Sequence, residues 1–326
     1  MSQSSDFFEV SPGILDRAKG VLVASAAGDA VGAPYEFGPP LEPEEKIGMY
    51  PHRSFAAGEW TDDTSQALAI ARGALVAPLH SDEGAQAVTD QFYRWYDEDR
   101  KGIGNQTRLI MANLSERTAE NLLDRSINFA KSEPLASGNG SLMRTGPVAL
   151  SYLADDEHLV TAATRMSELT HAELTCVEAC VIWSKAIRHA ILFENFDGVY
   201  RAIRELEADR ADFWLEIFER AEANEPKVFS RNGWVIEAIQ VAWSAMSRND
   251  QSDPSHLRKS IEDCVRAGMD TDTTAAIAGA LLGARWGASA VPQEWASLIH
   301  GWPGYHLQDL ESLAEKLVRN SLTPEH

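Results

Sequence analysis

The sequence predicts an all-α fold, on three observations. Apolar residues recur mostly at helical spacing, clean period-two alternation is scarce, and the few Gly/Pro/Asn clusters fall between helical stretches. Of the 326 residues, 44% are hydrophobic, enough to fill a sizeable core. No linker, repeat or low-complexity tract divides the chain, so residues 11–326 read as one domain behind a flexible N-terminus, residues 1–10.

Ser11-Pro12 has the form of an N-cap with Pro in the first turn. It opens a helix through Ile14, Leu15, Ala18, Leu22 and Ala26 that is expected to stop near Gly28. Periodicity then predicts helices over 62–77, 82–97, 105–130, 141–153, 157–193, 197–222, 233–247, 255–267, 273–286, 292–299 and 308–320. Between Gly38 and Gly58, Pro39, Pro40, Pro43 and Pro51 interrupt a stretch with few periodic apolar positions, which reads as a long loop of the kind that borders functional sites. In 273–286, Ala276, Gly279, Ala280 and Gly283 share one face, where small side chains permit close helix approach. Arg285 and the short run disfavour a membrane segment, so this is read as a buried central helix. The acidic segment 195–232 reads as a peripheral embellishment.

Composition narrows the partners. Lys and Arg total 29 against 49 Asp and Glu, a formal net charge of −20, which repels nucleic-acid backbones and anionic lipid. No nucleic-acid or membrane partner is expected, and a phosphate-bearing ligand would need local compensation, which divalent cations held by the excess carboxylates could supply. Three cysteines, Cys176, Cys180 and Cys264, form no CxxC pair and fit buried small side chains in a reducing compartment. The polar, acidic N-terminus lacks the form of a signal peptide, so a cytoplasmic location is expected, and a monomer is the default because no amphipathic stripe is left clearly without a partner inside the fold.

Two acidic clusters carry the chemistry. Thr61-Asp62-Asp63-Thr64 and Asp270-Thr271-Asp272-Thr273-Thr274 each stand directly before a predicted helix. Capping by Thr61, with carboxylates complementing the helix dipole, would explain the first alone. A calcium EF-hand does not explain the second, because Thr274, Ala275 and Leu281 occupy positions that need an oxygen ligand, Gly and an acid. Brought face to face, the two clusters would surround a pair of hard cations with oxygen ligands, favouring Mg²⁺, Mn²⁺ or Ca²⁺ over zinc. The carboxylates could not otherwise sit together without strong repulsion.

Five blocks taken in order resemble the ADP-ribosylglycohydrolase family. They are Gly28-Asp29-Ala30-Val31-Gly32-Ala33 with Glu36; Trp60-Thr61-Asp62-Asp63-Thr64; Gly138-Asn139-Gly140-Ser141-Leu142-Met143-Arg144; Thr170-His171; and Asp270-Thr271-Asp272-Thr273. The resemblance implies a compact multi-helix domain with a dinuclear Mg²⁺ or Mn²⁺ centre. Position by position it implies Thr61, Asp62, Asp63, Asp270, Asp272 and Thr273 as metal ligands. Glu36 matches the acidic residue that flanks the metals and takes part in catalysis, which with Asp62 and Asp272 makes the expected catalytic set. Gly138, Asn139, Gly140, Ser141 and Met143 fall in the block matching the loop that holds phosphates and distal ribose. His171 matches a residue lining the ADP-ribose cleft, and Gly104 belongs to a further glycine loop near the ligand. Thr274 departs from the family pattern, where many relatives carry Asn.

Read from the residues, Gly138-Asn139-Gly140 is no dinucleotide fingerprint, since Met143 stands where Gly or Ala is needed. An anion nest, backed by a helix after Ser141, and a plain turn both remain open. Asp29, at a helix end, is open to three readings: a residue that orients ligands, one that hydrogen-bonds substrate, or an ordinary turn Asp. His171 alone would suit a cap or a surface position, and the run Phe92, Tyr93, Trp95, Tyr96 is core with one ring able to stack on adenine.

The expected activity is hydrolysis of the glycosidic bond between ADP-ribose and an acceptor, first of all arginine-linked ADP-ribose on protein. Serine-linked ADP-ribose, O-acetyl-ADP-ribose or a small ADP-ribosylated metabolite stay open. Rival expectations are an ADP-ribose binding module without turnover and a dinuclear phosphohydrolase acting on the pyrophosphate.

Overall fold

Ser11 Oγ accepts the Ile14 N–H at 3.2 Å and Pro12 fills the first turn, so the chain enters helix α1 (Pro12–Gly32) where its sequence predicts. The computed structural model describes residues 10–133 and 136–322, so residues 1–9 of the expected flexible stretch lie outside the described residues. Helices follow as α2 (Asp62–Ala74), α3 (Asp82–Asp99), α4 (Asn105–Met111), α5 (Ala119–Ser132), α6 (Gly146–Ser151), α7 (Asp156–Glu168) and α8 (Leu174–Phe193). The remainder are α9 (Gly198–Ile203), α10 (Ala208–Ala223), α11 (Val235–Arg248), α12 (Ser255–Arg266), α13 (Thr271–Trp286), α14 (Gln293–Ala296) and α15 (Leu307–Ser321). Among the described residues the fold is all-α, with one two-residue antiparallel ladder, β1 (His300–Gly301) against β2 (Tyr305–His306), that periodicity did not predict.

The central contact is between α1 and α13, which run antiparallel almost backbone to backbone. A Cβ on Gly28 would lie 2.3 Å from the Ala275 carbonyl oxygen, one on Gly279 2.3 Å from that of Ala24, and one on Gly283 2.0 Å from that of Gly20. The small face predicted for 273–286 therefore meets a matching small face, and Gly28 is an interior contact point rather than the helix stop expected there. α1 continues to Gly32, where Asp272 and Thr271 take over the contact. This register carries buried Asp29 on α1 to the start of α13.

Around this pair α8, α11 and α12 pack on α13, while α2, α6 and α15 close the other side of α1. Three long predicted helices are in fact divided, and a fourth starts late. The 105–130 stretch divides where Asn113 adopts φ 56° and Thr118 caps α5 by accepting the Asn121 N–H. The 157–193 stretch divides at Thr170-His171, after which the Glu173 carboxylate caps α8 by accepting the N–H groups of Thr175 and Cys176. The 197–222 stretch divides between Ile203 and Ala208. In 141–153 the helix begins only at Gly146-Pro147, because residues 139–145 are taken up by turns in which Leu142 N–H donates to Asn139 O and Thr145 N–H to Leu142 O. Apolar spacing is blind to such side-chain caps, which compete locally with continued helix.

Candidate active site

The site forms where the end of α1, the start of α2 and the start of α13 meet. Asp29 lies fully buried at its centre and accepts hydrogen bonds from four donor groups. These come from Thr61 N–H at 2.9 Å, Thr61 Oγ1 at 2.9 Å, Thr64 N–H at 3.0 Å and Thr64 Oγ1 at 2.6 Å. The capping expected of Thr61 is thus supplied from another helix: Thr61 sits at the N-cap without a side-chain capping bond, and its hydroxyl also reaches Asp63 Oδ2 at 3.0 Å.

Two groups of carboxylates converge tightly enough to share a cation, with oxygens mutually within 4.8 Å. One is Asp29, Asp63 and Asp272; the other is Glu36, Asp270 and Asp272. Asp272 belongs to both. Asp63 Oδ1 is buried without a hydrogen-bond partner, an orphan that a cation would satisfy. Burial, reinforced by neighbouring carboxylates, pushes Asp62, Asp63 and Asp272 well above the usual carboxylate range, and burial raises Asp29 and Asp270. Glu36, at the turn after α1, is raised to about 7 by burial and by Asp270, while Arg53 beside it pulls the other way.

Of the ligand positions implied by resemblance, Asp63, Asp270 and Asp272 enter these groups directly. Asp62 lies alongside, held by Gln66 Nε2 at 3.0 Å and by the Gly104 backbone, which places Gly104 on the carboxylate side of the site. The Thr273 N–H donates to Asp272 Oδ1 at 3.0 Å and its side chain bonds Asp270. Asp29, read from sequence as an orienting or substrate residue, is itself a member of a carboxylate group. No spacing rule linked it to Asp63, 34 positions away.

The Gly138–Ser141 turn lies beside the carboxylates, joined by Asn139 Nδ2, which donates to Asp270 Oδ2 at 2.8 Å and to Asn232 O at 2.9 Å. With α6 starting at Gly146, the helix expected after Ser141 does not back this turn. Ser141 is buried, its hydroxyl bonded by Ser167 at 2.9 Å, and Met143 packs in the core rather than facing the cleft. His171 is buried beneath the turn, not a surface cap, and a Cβ on Gly140 would come within 3.1 Å of its Nε2. Phe92 and Trp95 are core, and the Phe92 ring lies 4.5 Å from the Arg144 guanidinium, so neither is free to stack on a base.

Sequence reasoning missed Asn232, Phe37 and Trp234. Asn232 is fully buried, accepts the Asp270 N–H at 2.9 Å and donates to Gly268 O at 3.0 Å, tying the end of the supposedly peripheral segment to the site. Phe37 and Trp234, with Met269 and Gly138, line an apolar cleft of about 610 Å³ that opens beside Asp270. Asparagine next to glycine reads as an ordinary turn in one sequence, and an aromatic residue at a helix start carries no separate signal.

Comparison with known proteins bears on what this cleft serves. The profile of the ADP-ribosylglycohydrolase family matches residues 11–325. The chain belongs to the ADP-ribosylglycohydrolase family. The ADP-ribosylarginine hydrolase Tri1 of Pseudomonas putida (strain GB-1) is 29% identical over 312 residues, covering 93% of this chain and 78% of that protein. The ADP-ribosyl-(dinitrogen reductase) glycohydrolase of Rhodospirillum rubrum is 26% identical, covering 88% and 92%. A solved ADP-ribosylglycohydrolase-related protein complex superposes with a TM-score of 0.71 at 25% identity, over 95% of this chain and all of that one. This ADP-ribosylglycohydrolase is therefore a hydrolase acting on glycosyl bonds, and its all-α architecture is that of its family. No described helix is long and apolar enough to cross a membrane.

Proposed function

We propose that this ADP-ribosylglycohydrolase uses two divalent cations, Mg²⁺ or Mn²⁺, to release ADP-ribose from an acceptor, in the first place arginine-linked ADP-ribose on protein. The carrying observation is the shared Asp272, which belongs to two carboxylate groups at once. An all-oxygen donor set suits hard cations, and Asp63 Oδ1, orphaned in the protein alone, fits the same reading. Asp29, Asp63 and Asp272 would hold one ion and Glu36, Asp270 and Asp272 the other, with Asp62, Thr61 and Thr273 supporting them. Bound there, the ions would neutralise the carboxylates, orient ribose hydroxyls and acidify a water.

The protein's own groups divide the remaining work. Glu36, grouped with Asp270 and Asp272 at the edge of the site, can take or give a proton at the glycosidic bond, a contribution of roughly 10²–10⁴-fold. The apolar cleft beside Asp270 has the volume and the aromatic walls to take a purine, with Trp234 as its ring platform. The glycine turn at 138–140 packs closely on His171, where only glycine fits at position 140 without displacing the ring, and its backbone would meet the phosphates. For the acceptor, Arg53 shows what the site entrance accommodates: its guanidinium is 2.8 Å from Glu36 Oε2 and lies over the Phe37 ring at 5.1 Å. A carboxylate beside an aromatic face suits a guanidinium, which favours the arginine linkage.

The test is incubation of an arginine-ADP-ribosylated protein with Mg²⁺, Mn²⁺ or chelator, followed by mass spectrometry. Metal-dependent release of intact ADP-ribose is expected. AMP as product would replace the reading with pyrophosphate cleavage. Release only from serine-linked or O-acetyl substrates would move the acceptor assignment, and tight ADP-ribose binding without turnover on any of them would make the protein a binder.

A further inference from the structure

Arg144 is fully buried, and a guanidinium offers hydrogen-bond donors only. That one-sidedness dictates the polarity of what it touches. Nη1 donates to Gln66 Oε1 at 2.6 Å, so the Gln66 amide must turn its NH₂ the other way, where it donates to Asp62 Oδ2 at 3.0 Å. Nη2 donates to the Met166 carbonyl at 3.0 Å and to Thr170 Oγ1 at 2.7 Å. The Thr170 hydroxyl, which accepts from Arg144, lies 2.7 Å from His171 Nδ1 and has its own proton to donate there. Burial, with Arg144 nearby, holds the His171 pKa well below its ordinary value, so the ring is neutral and carries a single proton. With Nδ1 as the acceptor, that proton would sit on Nε2, the ring atom that faces Gly138 and Gly140.

We propose that Arg144 is a positioning residue that sets the direction of two hydrogen-bond chains at once. One runs through Gln66 to Asp62 on the cation side; the other runs through Thr170 to His171 beneath the glycine turn. The guanidinium is held by neutral partners and by the face of Phe92, so it never competes with the site's carboxylates for an ion pair. Its effect reaches the reacting groups only through the orientation of others. The functional meaning of the two ends rests on the proposed cation and phosphate sites.

The test reads each chain separately in the full-length protein. Long-range ¹H–¹⁵N spectra of ¹⁵N-histidine-labelled protein, with His171→Asn to identify the signal, are expected to show wild-type His171 protonated on Nε2. Thr170→Val removes the donor to Nδ1 and should yield a tautomer mixture. It should raise KM for substrate more than it lowers kcat. Gln66→Met should leave the His171 tautomer unchanged while Mn²⁺ affinity, measured by calorimetry, falls on the order of 10–100-fold. Arg144→Met should show both effects.

A wild-type His171 protonated on Nδ1 overturns the proposal without recourse to any variant. So does a folded Arg144→Met protein that keeps both the tautomer and the Mn²⁺ affinity. Should Arg144→Met not fold, Thr170→Val and Gln66→Met decide, and an unchanged tautomer in the first or unchanged affinity in the second overturns that arm. The tautomer is read without metal or substrate, so a wrong assignment of substrate would leave it standing. Failure of Mn²⁺ to bind the wild-type protein would instead overturn the cation site.

Discussion

Arg53 Nη1 lies 2.8 Å from Glu36 Oε2, bridging the long loop and the turn after α1. The guanidinium favours the charged form of a carboxyl that burial and Asp270 push the other way, to about 7 with Arg53 in place. Arg53→Ala removes that pull, so the Glu36 pKa rises further. The limb of the kcat/KM–pH profile that reports Glu36 should move to higher pH relative to wild type. A limb that stays in place would mean that Glu36 is not the group being titrated.

Asp272 is raised well above the ordinary carboxylate value by burial and by Asp63, Asp270 and Glu36, so its ionisation is unfavourable in the metal-free fold. The sign follows from linkage: the folded state retains a proton that the unfolded chain has lost, so this contribution to stability falls as pH rises from about 4 upward. In chelator at neutral pH, Asp272→Asn is therefore expected to melt higher than wild type, and the gap should close as pH falls toward about 4. Saturating Mg²⁺ or Mn²⁺ should reverse the order, since an ion at about 100 times its Kd stabilises by about 2.7 kcal/mol. Thermal melts of the two proteins in both conditions check this.

Because Asp272 is common to both carboxylate groups, Asp272→Ala should abolish turnover, and Asp62→Ala should do so too. Far-ultraviolet circular dichroism should show the helical content kept. Full activity of either variant in chelator would remove the two-cation proposal.

Gly28→Ala puts a methyl group 2.3 Å from the Ala275 carbonyl oxygen, a distance that no rotamer can relieve because both partners are helix backbone. The helices must part, with a loss of stability of about 1–3 kcal/mol or more. Since the same contact holds Asp29 against Asp272, Mn²⁺ affinity should fall with it. Denaturant unfolding and calorimetry on the one variant would show whether the two losses travel together.

Trp234 is 37% exposed, with Arg231 packed over its ring at 5.4 Å. If it is the platform for the purine, Trp234→Ala should weaken ADP-ribose binding by about 1–3 kcal/mol, the usual worth of a stacked base. Ribose 5-phosphate binding should be little changed. Equal losses for both ligands would place the base elsewhere.

How far the sequence reaches is visible in particular residues. Ser11-Pro12, the small face of 273–286 and the two acidic clusters each combine residue type with local spacing, and the chain alone was enough to place them in helices and at helix starts. Asp63, Asp270 and Asp272 could be singled out because two rare clusters of like composition call for a shared counter-ion. The helix breaks at Asn113 and at Thr170-His171 could not, because they are made by side-chain caps and a left-handed residue that apolar periodicity does not register.

What only the tertiary structure decided is the pairing. Asp29 joins Asp63 and Asp272 because Gly28 and Gly283 let α1 and α13 touch backbone to backbone, an antiparallel register that no local spacing records. Asn232 reaches Asp270, and Arg144 reaches Gln66 and Thr170, by the same rule. Local chemistry sets which residues can bear charge, cap a helix or bind an ion, and it is written along the chain. Which of them face one another depends on close packing between distant segments, and that is settled only when the core closes.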